Sequence, residues 1–262
     1  MPLEIVVKST DPAIKAQRGA AARRVLGEFG SHIPDLRLLS FFDDEDWLPF
    51  KQLFGAENRG FYMPLTPTSK PFWPPYLRSL IFEPVTPSLQ LVYDHAIYLY
   101  GSSCSNAIGL TMTFAHELQH FVQHSNSLPL WSANTVIPTF CKNTNNAAGL
   151  RWCDIPHERE ARMVSKRTAE EIFGIVAVTK FIDTRIAAAE TKEDASDWKC
   201  IGDLSASDFY DLERETKLFF PKLRNFRSQI QHALKQLQSE GPDFESVDLD
   251  ALFSGPRNGS DL

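Results

Sequence analysis

Residues 113–124, TFAHELQHFVQH, place two histidines four residues apart, His116 and His120, with Glu117 directly after the first. On an α-helix, positions i and i+4 lie one above the other on the same face, so both imidazoles direct ring nitrogens at one point. That is bidentate metal geometry. Glu117 lies about 100° round the helix from His116, within reach of a metal-bound water without being a ligand itself. Zinc held by imidazole and carboxylate ligands acidifies its water toward neutrality, and a neighbouring carboxylate can take that proton and pass it to a leaving amine. The flanks support the helix: Ile108, Met112, Ala115, Leu118 and Val122 are spaced for one buried side, and Ser105 is a plausible N-cap.

A hydrolytic zinc site takes three protein ligands and leaves a position for water, so the chain must supply one more. No histidine follows at the short HExxHxxGxxH spacing, because the residue six past His120 is Asn126. The stretch PHEREA, 156–161, supplies carboxylates at a helix start. With the apolar side of that helix set by Ala161, Val164, Thr168, Ile172 and Ile175, Glu158 and His157 flank it and Glu160 projects further toward solvent. Glu158 is the first choice of third ligand, with His157 and Glu160 open as alternatives. His124 lies two turns beyond His116 and about 80° round from it. A fourth ligand there would close the water position, so His124 is expected in the wall of the site or hydrogen-bonded behind it.

Outward from the motif, residues 12–30 read as a helix closed by glycines. A segment rich in Phe, Trp and Pro follows, from FFDDEDWLPF to PFWPPYLRSLIF, whose aromatics must roof a core or line a cleft. LQLVYDH and AIYLYGSS are strand material. The strand in HAIYLY stands just ahead of the motif helix, an order that resembles zincin architecture and so implies that it borders a cleft and pairs with an extended substrate. The stretch 127–154 carries two prolines and the turn signals NTNN and AAG, and reads as a long irregular connection. A second strong helix follows, with Asp154 as N-cap, Pro156 in the first turn and Gly174 as a bend. Helical pattern returns on both sides of Pro221. Residues 241–262 are acidic and Gly/Pro-punctuated, which predicts a flexible tail behind one domain over residues 1–240. Within that tail VDLDALF is either a docking segment or a strand that folds back on the domain.

Composition narrows the function. Over 262 residues, 43% apolar and 23% charged is globular, and a net charge of −6 with scattered lysines and arginines argues against nucleic acid as a ligand. No run of about eighteen apolar residues occurs, which argues against a membrane span. The opening MPLEIVVKSTDPAIKAQRG lacks the apolar core of a signal peptide, and the four cysteines form no CxxC pair. Reduced thiols and a cytoplasmic setting are expected.

FAHELQHFVQH followed by PHEREARMVS resembles the ImmA/IrrE-type zinc metallopeptidases, whose HExxHxxxH helix is followed by a helix carrying an ExxA(N)-like pattern. The resemblance spans roughly Tyr98 to Arg167 and matches at His116, Glu117, His120, His124, Glu158 and Ala161. It departs at Gln119, where glycine is usual, and at Arg162, where asparagine is usual. It implies an α+β zincin-like fold, with a small sheet packed against the HExxH helix and a helical C-terminal part. It also implies zinc on His116, His120 and Glu158, Glu117 as the catalytic base, and limited endoproteolysis of a specific protein. Two other classes remain: a zincin-fold binding protein without turnover, and a zinc hydrolase acting on a small amide.

Overall fold

The computed structural model describes residues 3–35, 37–43, 60–65, 77–78, 81–84, 89–91, 93–101, 106–205, 209–240 and 247–255. In chain order the elements are β1 (Leu3–Lys8), α1 (Pro12–Phe29), β2 (Leu38–Asp43), β3 (Gly60–Pro64), β4 (Phe82–Pro84), β5 (Leu89–Leu91) and β6 (His95–Leu99). Then come α2 (Ala107–Asn126), α3 (Leu128–Asn143), α4 (Pro156–Phe173), α5 (Ile175–Ala187), α6 (Lys192–Asp203), α7 (Leu212–Phe219), α8 (Arg227–Glu240) and α9 (Leu249–Ser254). The fold is mixed α+β and mostly helical. No helix among the described residues is long and apolar enough to cross a membrane.

The chain divides into two compact units: Met1–Val122 with Met163–Ala206, and Gln123–Arg162 with Ser207–Leu262. The first contains a four-stranded sheet in the order β1-β2-β6-β3. β1 pairs with β2 and β2 with β6 in parallel, while β3 runs antiparallel to β6. Leu39, Phe41, Ala96, Tyr98 and Tyr100 pack on one face of this sheet in a cluster with Phe61, Leu65, Leu77 and Ile81. The described part of the aromatic-rich segment therefore roofs a core; residues 44–59, 66–76 and 79–80 lie outside the described residues.

The opposite face of the sheet meets the motif helix. Phe42 makes an edge contact with Phe114 at 5.3 Å between ring centroids, and Phe121 packs on His95 at 5.0 Å and Tyr62 at 6.1 Å. Tyr62 and His95 are themselves joined, hydroxyl to Nδ1, at 2.9 Å. Gly60 permits the close approach: a Cβ there would stand 3.1 Å from the Tyr98 carbonyl oxygen and 3.2 Å from the Thr113 methyl. The strand His95–Leu99 differs from expectation in one respect. It is interior, with β2 on one side and β3 on the other, so its backbone is already paired and cannot receive a peptide. Among the described residues the outermost strand beside it is β3.

In the second unit, residues 128–143 form a helix where an irregular connection was expected. Ser127 caps it, its hydroxyl accepting from the Leu130 N–H at 3.4 Å, and Pro129 falls in the first turn, where no N–H is needed. Pro138 is tolerated inside because Ala133, Val136, Ile137, Phe140 and Cys141 bury one face in a shared core. The asparagines do turn the chain: Asn145, Asn146 and Gly149 have φ of 49°, 54° and 61°. Across Pro221 a 3-10 segment, Phe220–Phe226, links α7 to α8.

Part of the stretch expected to be a flexible tail folds back. Leu249–Ser254 is helical, capped by Asp248, with Leu249 and Phe253 buried among Phe220, Leu223 and neighbours. VDLDALF combines a capping aspartate with apolar residues three and four apart, a helix signal that the acidic composition obscured. Residues 241–246 and 256–262 lie outside the described residues. Phe253→Ala is expected to lower the free energy of unfolding by about 3 kcal/mol or more. Urea denaturation checks this, and a loss below about 0.5 kcal/mol would show that α9 adds no packing.

Candidate metal centre

The motif helix α2 begins at a side-chain cap. The Asn106 carboxamide oxygen accepts from the N–H groups of Ile108 at 2.9 Å and Gly109 at 3.1 Å. Ser105, the expected cap, lies outside the described residues. Phe114, Ala115, Leu118 and Phe121 are fully buried, which fixes the rotation of the helix about its axis. His116 is half-buried, while His120 and Glu117 are 6% and 7% exposed.

The two imidazoles converge. Their rings meet edge to face with centroids 4.6 Å apart, and the two Nε2 atoms stand 3.1 Å from each other. Two nitrogens bound at about 2.05 Å to a tetrahedral zinc stand roughly 3.3 Å apart. The pair thus has close to the separation the ion requires.

The helix carrying the third donor starts differently from expectation. Asp154 is not its cap: that carboxylate accepts from the Arg151 guanidinium at 2.8 and 2.9 Å within a 3-10 turn. The first helical bond instead goes from the Arg159 N–H to the Ile155 carbonyl at 2.9 Å, with Pro156 at the first helical position. Glu158 lies in the first turn, where the unpaired backbone N–H groups favour a carboxylate. It is 6% exposed. Its Oε2 accepts from Arg162 Nη1 at 3.0 Å, and its Oε1 lies 3.6 Å from His157 Nε2.

His116, His120 and Glu158 each offer a ligand atom, and these atoms lie within 4.8 Å of one another. Among the described residues this is the group able to hold a metal ion. Two imidazole nitrogens and a carboxylate oxygen, with one ligand at the half-buried His116, are a donor set that fits zinc with a position left for water.

The alternatives for the third ligand fall elsewhere. His157 is 3% exposed and packs its ring edge to face on Trp131, 5.7 Å between centroids. Glu160 was expected to face solvent; instead its Oε2 accepts from Gln123 Nε2 at 2.7 Å, and the same amide donates to the His157 carbonyl at 2.9 Å. Gln123 thereby ties the end of α2 to the first turn of α4. His124 is outside the donor group and makes an edge-to-face contact with Trp131, also at 5.7 Å. Sequence reasoning missed Gln123, Trp131 and Arg162. Only Arg162 had a legible signal, four residues after Glu158 at salt-bridge spacing.

No protein-family profile, curated protein or solved structure matches the chain. The likeness to metallopeptidases therefore rests on the motif residues and their geometry.

Burial lowers the His124 pKa from 6.5 to about 4. Because the folded value lies below the unfolded one, burial of neutral His124 contributes stability in full above about pH 6.5, lost progressively as pH falls toward 4. In an NMR titration the His124 ring protons are expected to stay at their neutral shifts down to pH 5. A midpoint near 6.5 would contradict the burial.

Proposed function

We propose that this protein is a zincin-like, zinc-dependent endopeptidase that hydrolyses peptide bonds in a specific protein substrate. The observation that carries the proposal is the convergence of His116, His120 and Glu158 beside a buried Glu117 that is not needed as a ligand. His116, His120 and Glu158 hold the metal. Zinc bound there supplies an acidified water and polarises the scissile carbonyl.

Glu117 accepts the proton of the attacking water and returns it to the amide nitrogen as the C–N bond breaks, leaving a carboxylate and an amine. β3 runs antiparallel to β6 and is the outermost strand among the described residues, so an extended peptide adds to that edge by backbone hydrogen bonds. Tyr62 and Gly60 lie on that strand, and Tyr62 packs on Phe121 of the motif helix. A peptide on β3 therefore lies alongside the helix that carries the two histidines.

A cytoplasmic setting is part of the proposal. It draws support from Cys141, buried as a free thiol that burial pushes up to about 11 and so holds protonated and unreactive.

Three variants separate base, ligand and bystander. Glu117→Gln is expected to retain zinc and lose cleavage by roughly a thousandfold. Glu158→Gln is expected to weaken zinc binding at least roughly tenfold. Glu160→Gln keeps the bond from Gln123 and should leave the metal in place. Substrates are sought by N-terminal peptide mass spectrometry of cells expressing wild type or Glu117→Gln. An identical set of protein termini in both would overturn the endopeptidase assignment, and zinc loss from Glu160→Gln but not Glu158→Gln would overturn the ligand assignment.

A further inference from the structure

Glu158 is almost fully buried at the start of α4, and a buried carboxylate without a countercharge is strongly disfavoured. In a metal site the cation normally provides that countercharge. Here the chain supplies another: Arg162, 7% exposed and one turn on, donates from Nη1 to Glu158 Oε2 at 3.0 Å. Both side chains of this ion pair are 8% exposed, so water screens it little. Because the partners are four apart on one helix, the pair forms with the helix itself and needs no other segment.

We propose that Arg162 is a positioning residue that keeps the Glu158 carboxylate charge-balanced when no metal is bound, so that the protein folds as the apo form and holds its zinc exchangeably. The inference rests on the zinc reading of the site. Two consequences follow from the guanidinium standing at the ligand. It ties down one carboxylate oxygen and so fixes how the other is presented. It also competes with the cation for the same negative charge, and its own positive charge repels the ion. Arg162 therefore makes metal-free protein more stable and metal binding weaker than the three ligands alone would give.

The sign of that second effect separates this role from a purely supporting one. Residues that merely orient a ligand lose roughly 10- to 100-fold in metal affinity when removed. Removing a competing charge does the reverse. Arg162→Met keeps an apolar stem of similar reach and deletes the charge. Zinc affinity is measured by competition with a chelating dye, and melting temperature with and without zinc, for wild type, Arg162→Met, Glu158→Gln and the double variant.

Arg162→Met is expected to bind zinc roughly tenfold tighter than wild type. Its apo form should melt lower, its gain in melting temperature on adding zinc should exceed that of wild type, and apo stability should return in the Glu158→Gln/Arg162→Met double variant. Equal or weaker zinc affinity in Arg162→Met would overturn the proposal. So would apo instability that the double variant does not relieve, including failure of both to fold. If wild type binds no zinc the metal reading itself fails. The metal-free comparison of the four proteins still decides whether Arg162 balances the Glu158 charge.

Discussion

Two imidazole nitrogens 3.1 Å apart on one buried helix impose a condition that the surrounding structure has to meet. As two bare acceptors they repel, and as two protonated rings they repel more, so the pair requires either one shared proton or a cation between them. That separation arises only if the backbone between His116 and His120 is a regular turn of α-helix in a fixed rotation. Phe114, Ala115, Leu118 and Phe121 secure that rotation by burial on the flanks of the histidines. The sheet secures it from the other side through Phe42, Tyr62 and His95. Gly60 contributes by having no side chain where β3 comes closest.

A second condition concerns charge. Glu117 and Glu158 are both almost excluded from water. Carboxylates are placed this way only where positive charge or strong donors offset the loss of hydration. The helix start at Pro156 and the Arg162 guanidinium each supply part of that offset for Glu158, and the proposed cation on the imidazoles would supply more. Gln123 adds a neutral clamp, its one amide group bridging the His157 carbonyl and the Glu160 carboxylate. Trp131 makes edge-to-face ring contacts with both His124 and His157 within the second unit.

What the sequence disclosed follows from how local each feature is. The spacing of His116, Glu117 and His120 on a helix, and the face that places Glu158 inward, are short-range and were legible. The strand at His95–Leu99 was legible as a strand but not as an interior one, because its neighbours β2 and β3 come from segments more than thirty residues away on the register Phe41↔Tyr98 and Tyr62↔Ile97. Helix α3 was hidden by Pro129 and Pro138, which read as breakers until the buried face of Trp131, Val136, Ile137 and Phe140 is known. Missing that helix also hid Trp131. Asp154 had the chemistry of a cap, but Arg151 claims its carboxylate. In the acidic C-terminal stretch, local charge outweighed the three-residue apolar spacing that folds α9 onto Phe220.

The central claim is that His116, His120 and Glu158 hold one zinc ion, and X-ray absorption at the zinc edge on protein purified without chelators tests it most directly. The expected spectrum gives one zinc per chain, with four or five nitrogen and oxygen neighbours at about 2.0–2.2 Å, two of them showing the outer-shell scattering of imidazole. Absence of stoichiometric zinc, or a first shell containing sulfur at about 2.3 Å, would contradict it.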